Sequence, residues 1–221
     1  MKVGLKIRMT LMKILKVGRI MKRIFISCGA HKLGILKQLN EVSKIRAYDK
    51  FYLKEWDEIY CFEPNKKFPD WIEYYGSPFE NVTYINKAVW TENIEGARFY
   101  EMHHSFDYGN TMCPEKGGQG RKATNDADTI DFDKWLKENI NKEDYVFLDM
   151  DIECAEYKVI PHLIKNGSID LIDDFAIEWH TKKCGSWNPG ENLNGENLHD
   201  KLVDELKEHT NVLNHNQIGL G

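Results

Sequence analysis

The stretch YVFLDMDIECAEY, residues 145–157, sets an apolar run against a cluster of acids. Tyr145 to Leu148 read as a buried strand, and Asp149, Asp151, Glu153 and Glu156 follow at once. In extended backbone the side chains alternate, so Asp149, Asp151 and Glu153 are expected on one side. A buried strand ending in carboxylates fits a parallel α/β sheet, where ligands bind beyond the carboxyl ends of the strands. Such a cluster can hold a divalent cation or supply a general base.

Outward from that stretch, strand and helix signals alternate. RIFISC (23–28) reads as a buried strand, followed by the turn CGAHKLG, and residues 33–45 carry apolar positions at helical spacing. EIYCFEP (58–64) is a second strand, closed by Pro64. NVTYINKAVW (81–90) is a third, and ARFYEM (97–102) a fourth, antiparallel or peripheral. Residues 103–127 are rich in Gly and charge without periodicity, which predicts a long functional loop. Helices are expected over 129–140, 153–167 and 196–209, with Pro161 at a kink or boundary of the second. Residues 169–180 read as a strand, and the tail TNVLNHNQIGLG as a terminal hairpin, whole or cut short. The alternation predicts an α/β fold with a mostly parallel sheet of about six to seven strands and helices on both faces.

At 221 residues the chain suits one domain with a sizeable core. The net charge of −5 argues against a nucleic-acid partner, which would require a basic face. Residues 1–23 hold eight Lys/Arg and no acid, leaving 22 basic against 35 acidic residues elsewhere. We take residues 1–22 as a basic extension and 23–221 as the domain. No apolar run in the extension is long enough to span a bilayer, so stable membrane insertion is not expected. The five cysteines are odd in number and widely spaced, with no CxxC pair. That spacing argues against a disulfide framework and predicts a reducing, cytoplasmic location.

Three strand ends carry the candidate chemistry. Small residues in Cys28-Gly29-Ala30-His31, with Gly34 beyond, would let backbone approach a ligand at a helix N-terminus. Glu63, ending the second strand, is placed to accept both hydroxyls of a ribose. Asp149, Asp151 and Glu153 meet Glu178 and His180 if their two strands are neighbours. Asp151 could instead cap the following helix, and Glu153 could favour its positive end.

These segments, in this order, resemble the FkbM-type family of S-adenosylmethionine-dependent methyltransferases over residues 23–180. The resemblance rests on Gly29-Ala30, Phe62-Glu63-Pro64, Asn86-Lys87-Ala88, Asp149-Met150-Asp151-Ile152-Glu153-Cys154-Ala155-Glu156 and Glu178-Trp179-His180. The family's acid before the glycine is here Ser27, its Asn after the alanine is His31, and Asp149 stands where the family has lysine. The resemblance implies a Rossmann-like class I methyltransferase fold. It also implies S-adenosylmethionine held by Cys28, Gly29, Ala30, His31, Gly34 and Glu63, with its adenine near Ala88 and Val89.

The expected reaction is methylation of a hydroxyl on a sugar or glycan, with Asp151 or His180 as base. His103, His104 and Tyr108 of the long loop would close over the acceptor. An aspartate in place of lysine adds to its acidic neighbours and favours a bound Mg²⁺ or Mn²⁺ on Asp149, Asp151, Glu178 and His180. Two alternatives stay open. Asp149-Met150-Asp151 could serve a metal-dependent glycosyltransferase, or the domain could be a degenerate glycan-binding or scaffold module.

Overall fold

The computed structural model describes residues 20–31, 56–66, 80–102, 109–117, 121–181, 184–187 and 197–214. The expected helix over 33–45, together with Gly34, His103, His104, Tyr108 and most of the basic extension, lies outside them. Lys22 is already part of the fold, since its backbone N–H donates to Asp144 and its carbonyl accepts from Tyr145.

Ten strands occur in chain order among the described residues. They are β1 (Arg23–Cys28), β2 (Glu58–Phe62), β3 (Val82–Ile85), β4 (Ala88–Trp90), β5 (Ala97–Met102), β6 (Arg121–Ala127), β7 (Thr129–Asp131), β8 (Tyr145–Met150), β9 (Asp174–Ile177) and β10 (Asn211–Asn214). Six form one sheet in the order β10-β9-β8-β1-β2-β3, with every pairing parallel. Chain order reverses between β1 and β8, the switch point at which doubly wound sheets bind ligands. The α/β class and the parallel sheet are therefore as the sequence predicts.

The central strands are buried on both faces, as parallel strands with covered faces must be. Ile24, Ile26, Val146, Leu148 and Phe175 pack with Phe132, Leu136, Val159, Ile160 and Leu163. The alternate residues carry an aromatic layer in which Phe25 stacks on Phe147 at 5.6 Å and Trp56 tilts against Phe25 at 5.5 Å. Each strand thus contributes to both layers, which is why its sequence reads as continuously apolar rather than alternating.

Three longer helices are described: α1 (Phe132–Asn139), α2 (Glu156–Asn166) and α3 (Leu198–Lys207). Asp131 caps α1 by accepting the Lys134 N–H, and Asn197 caps α3 by accepting from His199 and Asp200. Such caps satisfy orphan donors of the first turn. Helix α2 starts at Ala155 with no side-chain cap, so Asp151 is not the cap that its sequence position allows. Pro161 sits inside α2, not at its boundary. Gly167 ends that helix in the left-handed conformation (φ 81°), its N–H shared by the Leu163 and Ile164 carbonyls.

Several expectations are corrected. The third strand is two: Asn86-Lys87 breaks it into β3, in the main sheet, and β4, which pairs with β7 in a sheet of two. Part of the segment expected to be a long loop is regular structure: Arg121–Ala127 forms β6, antiparallel to β5, and Pro114–Gly117 forms one helical turn. The predicted helix at 129 begins only at Phe132, after β7. The strand expected over 169–180 is a 3-10 turn, Ser168–Leu171, and then β9. Of the tail, Asn211–Asn214 runs parallel to β9 as the last strand of the described sheet, and residues 215–221, where a hairpin's second strand would fall, lie outside the described residues.

The cysteines also depart from expectation. Cys154 and Cys184 form a disulfide, with Cα atoms 5.4 Å apart. Spacing in sequence gave no sign of it because the two residues come from loops that only the pairing of β8 with β9 brings together. Cysteine usage therefore no longer points to a reducing compartment. Cys28 and Cys61 are free and buried among strands, as small apolar residues would be. Among the described residues, no helix is long and apolar enough to cross a membrane.

Candidate functional site

Beyond the carboxyl ends of β1, β2 and β8 lies a cleft lined by Gly29, His31, Phe62, Glu63, Ala88, Val89, Asp151, Ile152 and Glu153, among others. Its floor begins with the turn after β1. Gly29 has φ +86°, and a Cβ built there would lie 1.8 Å from the Asp151 carbonyl oxygen. Only glycine fits, but the reason is the close approach of the β8 terminus, not of a ligand. The Asp151 N–H also donates to the Cys28 carbonyl at 2.9 Å, locking the ends of β1 and β8 together.

The end of β2 closes on the same turn. Gly29 and Ala30 donate their N–H groups to the Phe62 carbonyl at 2.9 and 3.0 Å. Glu63 reaches across: its Oε2 accepts the His31 N–H at 2.9 Å and its Oε1 accepts the Asn65 N–H at 2.8 Å. Its carbonyl is braced by the Tyr84 hydroxyl at 2.9 Å and by Asn86 at 2.7 Å. Burial pushes the Glu63 carboxyl up to about 7, against the two N–H donors, which pull it down, and with a further rise from the Asp151 charge. Each carboxylate oxygen has more than one acceptor direction, so Glu63 can still take hydroxyl donors from the cleft.

A second group of residues, at the ends of β8 and β9, adjoins the cleft through Asp151 and Glu153; Glu178 and His180 themselves are not among the residues that line it. The parallel register of β8 and β9 sets Met150 opposite Ile177, and the Glu178 N–H extends the ladder to the Met150 carbonyl at 2.9 Å. His180 follows and is fixed by Glu156, a fully buried residue in the first turn of α2. Glu156 Oε1 accepts the His180 backbone N–H at 2.8 Å and lies 3.2 Å from its Nδ1. With Nδ1 turned to Glu156, Nε2 faces Glu153 at 3.3 Å, Asp151 at 3.6 Å and Glu178 at 3.9 Å. A carboxylate behind one ring nitrogen fixes the tautomer and leaves the other nitrogen basic. Lys116, itself buried, forms an ion pair with Glu153.

The predicted residues divide clearly. Gly29, His31, Glu63, Ala88, Val89 and Asp151 all line the cleft. Cys28 and Ala30 are buried beneath it, 1% and 4% exposed, and act as packing. Of the acids expected to share one side, Asp149 does not join the others. It is buried, its Oδ2 accepts the Ser27 hydroxyl at 3.3 Å, and it is not among the cleft-lining residues.

The strand ends at Met150, and the backbone then turns through left-handed conformations at Glu153 (φ 56°) and Cys154 (φ 85°). That turn, illegible in the sequence, brings Glu153 beside Asp151 and His180. The ligand atoms of these three lie within 4.8 Å of one another, a mixed oxygen and nitrogen set able to hold a divalent cation. The expected set of Asp149, Asp151, Glu178 and His180 is thus redrawn, with Glu153 in place of Asp149 and Glu178 at its margin.

Sequence inspection missed Glu156 as the orienter of His180, Lys116 as the counter-charge, and Tyr84 and Asn86 as braces of Glu63. It also missed Phe99, on the predicted fourth strand, and Thr111 and Met112, which reach the cleft from the segment that looked like structureless loop. Only Glu156 and Asn86 carried a signal, through the motifs that contain them. Comparison with protein-family models, with curated proteins and with solved structures finds no match to this chain.

Proposed function

We propose that this protein transfers a methyl group from S-adenosylmethionine to a hydroxyl of a sugar or glycan. The observation that carries the proposal is the junction of Glu63 with the Gly29 turn, since one carboxylate at the end of β2 is tied to the backbone of the loop after β1. That arrangement suits a nucleoside, with the ribose hydroxyls on Glu63 and the adenine against Ala88 and Val89. When bound, S-adenosylmethionine supplies an electrophilic methyl carbon on a positively charged sulfur.

The remaining chemistry falls to the chain's own groups. An alcohol is a weak nucleophile near neutral pH and gains reactivity when a base takes its proton as it attacks. His180 Nε2 is the base, and Glu156, at Nδ1, holds the ring and stabilises the imidazolium that results. A cation held on Asp151, Glu153 and His180 would lower the hydroxyl pKa instead. One lone pair cannot do both, so EDTA separates the two versions: unchanged turnover leaves His180 as the base.

The glycosyl-transfer alternative draws less support, because Asp149 is buried against Ser27 while Asp151 faces the cleft. The test is incubation with S-adenosylmethionine and a panel of glycans, read by mass spectrometry. His180→Gln should lower turnover by about 10²–10⁴-fold while leaving S-adenosylhomocysteine affinity unchanged. Cofactor binding without product across the panel would favour a binding module. Thermal stabilisation by UDP- or GDP-sugars with Mn²⁺, and none by S-adenosylmethionine, would favour glycosyl transfer.

A further inference from the structure

We propose that the Cys154–Cys184 disulfide is a redox-controlled clamp on the cleft, holding the acid and imidazole cluster together when oxidised and releasing it when reduced by a dithiol. Its effect on turnover rests on the methyl-transfer reading, but the clamp itself can be observed without any ligand.

Three chain segments meet at this bond. Cys154 directly follows Glu153, and Cys184 lies four residues beyond His180, so each sulfur is anchored next to a member of the cluster. The third segment, residues 109–117, is attached at the same place. The Cys113 backbone N–H donates to the Thr111 hydroxyl oxygen at 3.0 Å, and its thiol lies 3.4 Å from the Cys184 carbonyl. The Thr111 hydroxyl in turn donates to the Glu153 carbonyl, and Lys116 pairs with the Glu153 carboxylate. All three cysteines are buried, so a dithiol reaches the bond only when the turn opens locally.

The turn they hold is not one the backbone would choose. Glu153 and Cys154 both have positive φ without being glycine. Such backbone is strained and persists only where the surroundings impose it. The disulfide is one of the constraints, together with the Thr111 hydrogen bond and the Lys116 ion pair. On reduction the dithiol gives up two electrons and two protons, the S–S bond breaks, two thiols form, and the reductant closes to its own disulfide. Reduction therefore removes one of the three constraints on Glu153 and on the segment that follows His180. A displacement of about 1 Å near reacting groups costs about 10²-fold in rate.

The experiment uses the full chain, without ligand, before and after dithiothreitol. Thiol titration of the denatured protein should give three thiols before reduction and five after. Hydrogen exchange at residues 151–156 and 178–181 should accelerate at least about tenfold on reduction, while the amides of β1 and the start of β8 stay as slow as before. Reoxidation with oxidised glutathione should restore protection. Cys184→Ala, kept in oxidising buffer, should behave as the reduced protein does; if it fails to fold, the dithiothreitol comparison on the native chain decides. Five thiols in the untreated protein would overturn the proposal. So would unchanged exchange, or acceleration spread evenly over the sheet, since the bond would then be only a staple of the fold. If S-adenosylhomocysteine binds neither form, the methyl-transfer reading falls while the exchange result still decides the clamp.

Discussion

Glu63 gives this fold a pH dependence that can be worked out from one side chain. Its carboxyl is buried and sits at about 7, against an ordinary 4.5, chiefly because burial disfavours the charged form. Between those two values the unfolded chain releases this proton while the folded chain keeps it. The folded state therefore binds more protons, and stability falls as pH rises through that window, then levels off above about 7. At about 1.4 kcal/mol per pH unit the loss amounts to about 3 kcal/mol. Glu63→Gln removes the titration. Its absolute stability will differ too, because an amide cannot accept from both His31 and Asn65 with equal geometry, so the comparison must be of slopes. Urea unfolding of both proteins at intervals from pH 4.5 to 8 should show the difference in unfolding free energy moving by about 3 kcal/mol in favour of the variant. Parallel stability curves would refute the reasoning, and would mean that the carboxylate is solvated or is better held by its two N–H donors than the burial implies.

Two further expectations test the frame around that residue. Gly29→Ala should destabilise the fold by at least about 3 kcal/mol in urea, because its Cβ would meet the Asp151 carbonyl oxygen at 1.8 Å on a left-handed backbone. Phe147→Ala should cost about 3–5 kcal/mol by the same assay, since it removes a fully packed ring from the central strand and leaves Phe25 without its stacking partner.

Much of the frame was legible because it follows from short-range rules. The short, largely apolar runs at Arg23–Cys28 and Tyr145–Met150 fit strands covered on both faces, and their alternation with helices favours parallel pairing. Glu63 was legible for a similar reason, as an acid at a strand end with proline behind it. What failed depended on contacts distant in sequence. Asp149 looked like a member of the acidic cluster because strict alternation was carried past Met150, where the strand stops. Glu153 joins the cluster only through two left-handed residues, and neither Glu nor Cys announces such a turn. The disulfide needs β8 and β9 to be neighbours before its cysteines can be paired. Arg121–Ala127 looked like loop because its polar residues do not alternate cleanly, and pairing with β5 overrides that weak local preference.

The central claim is a nucleoside site made jointly by the Gly29 turn and the Glu63 carboxylate, and isothermal titration calorimetry with S-adenosylhomocysteine addresses it most directly. The wild-type chain should bind the nucleoside, and Glu63→Ala should weaken binding at least tenfold, about the loss of one charged hydrogen-bonding group. Equal affinity in the two proteins, or no heat of binding from the wild type, would contradict it.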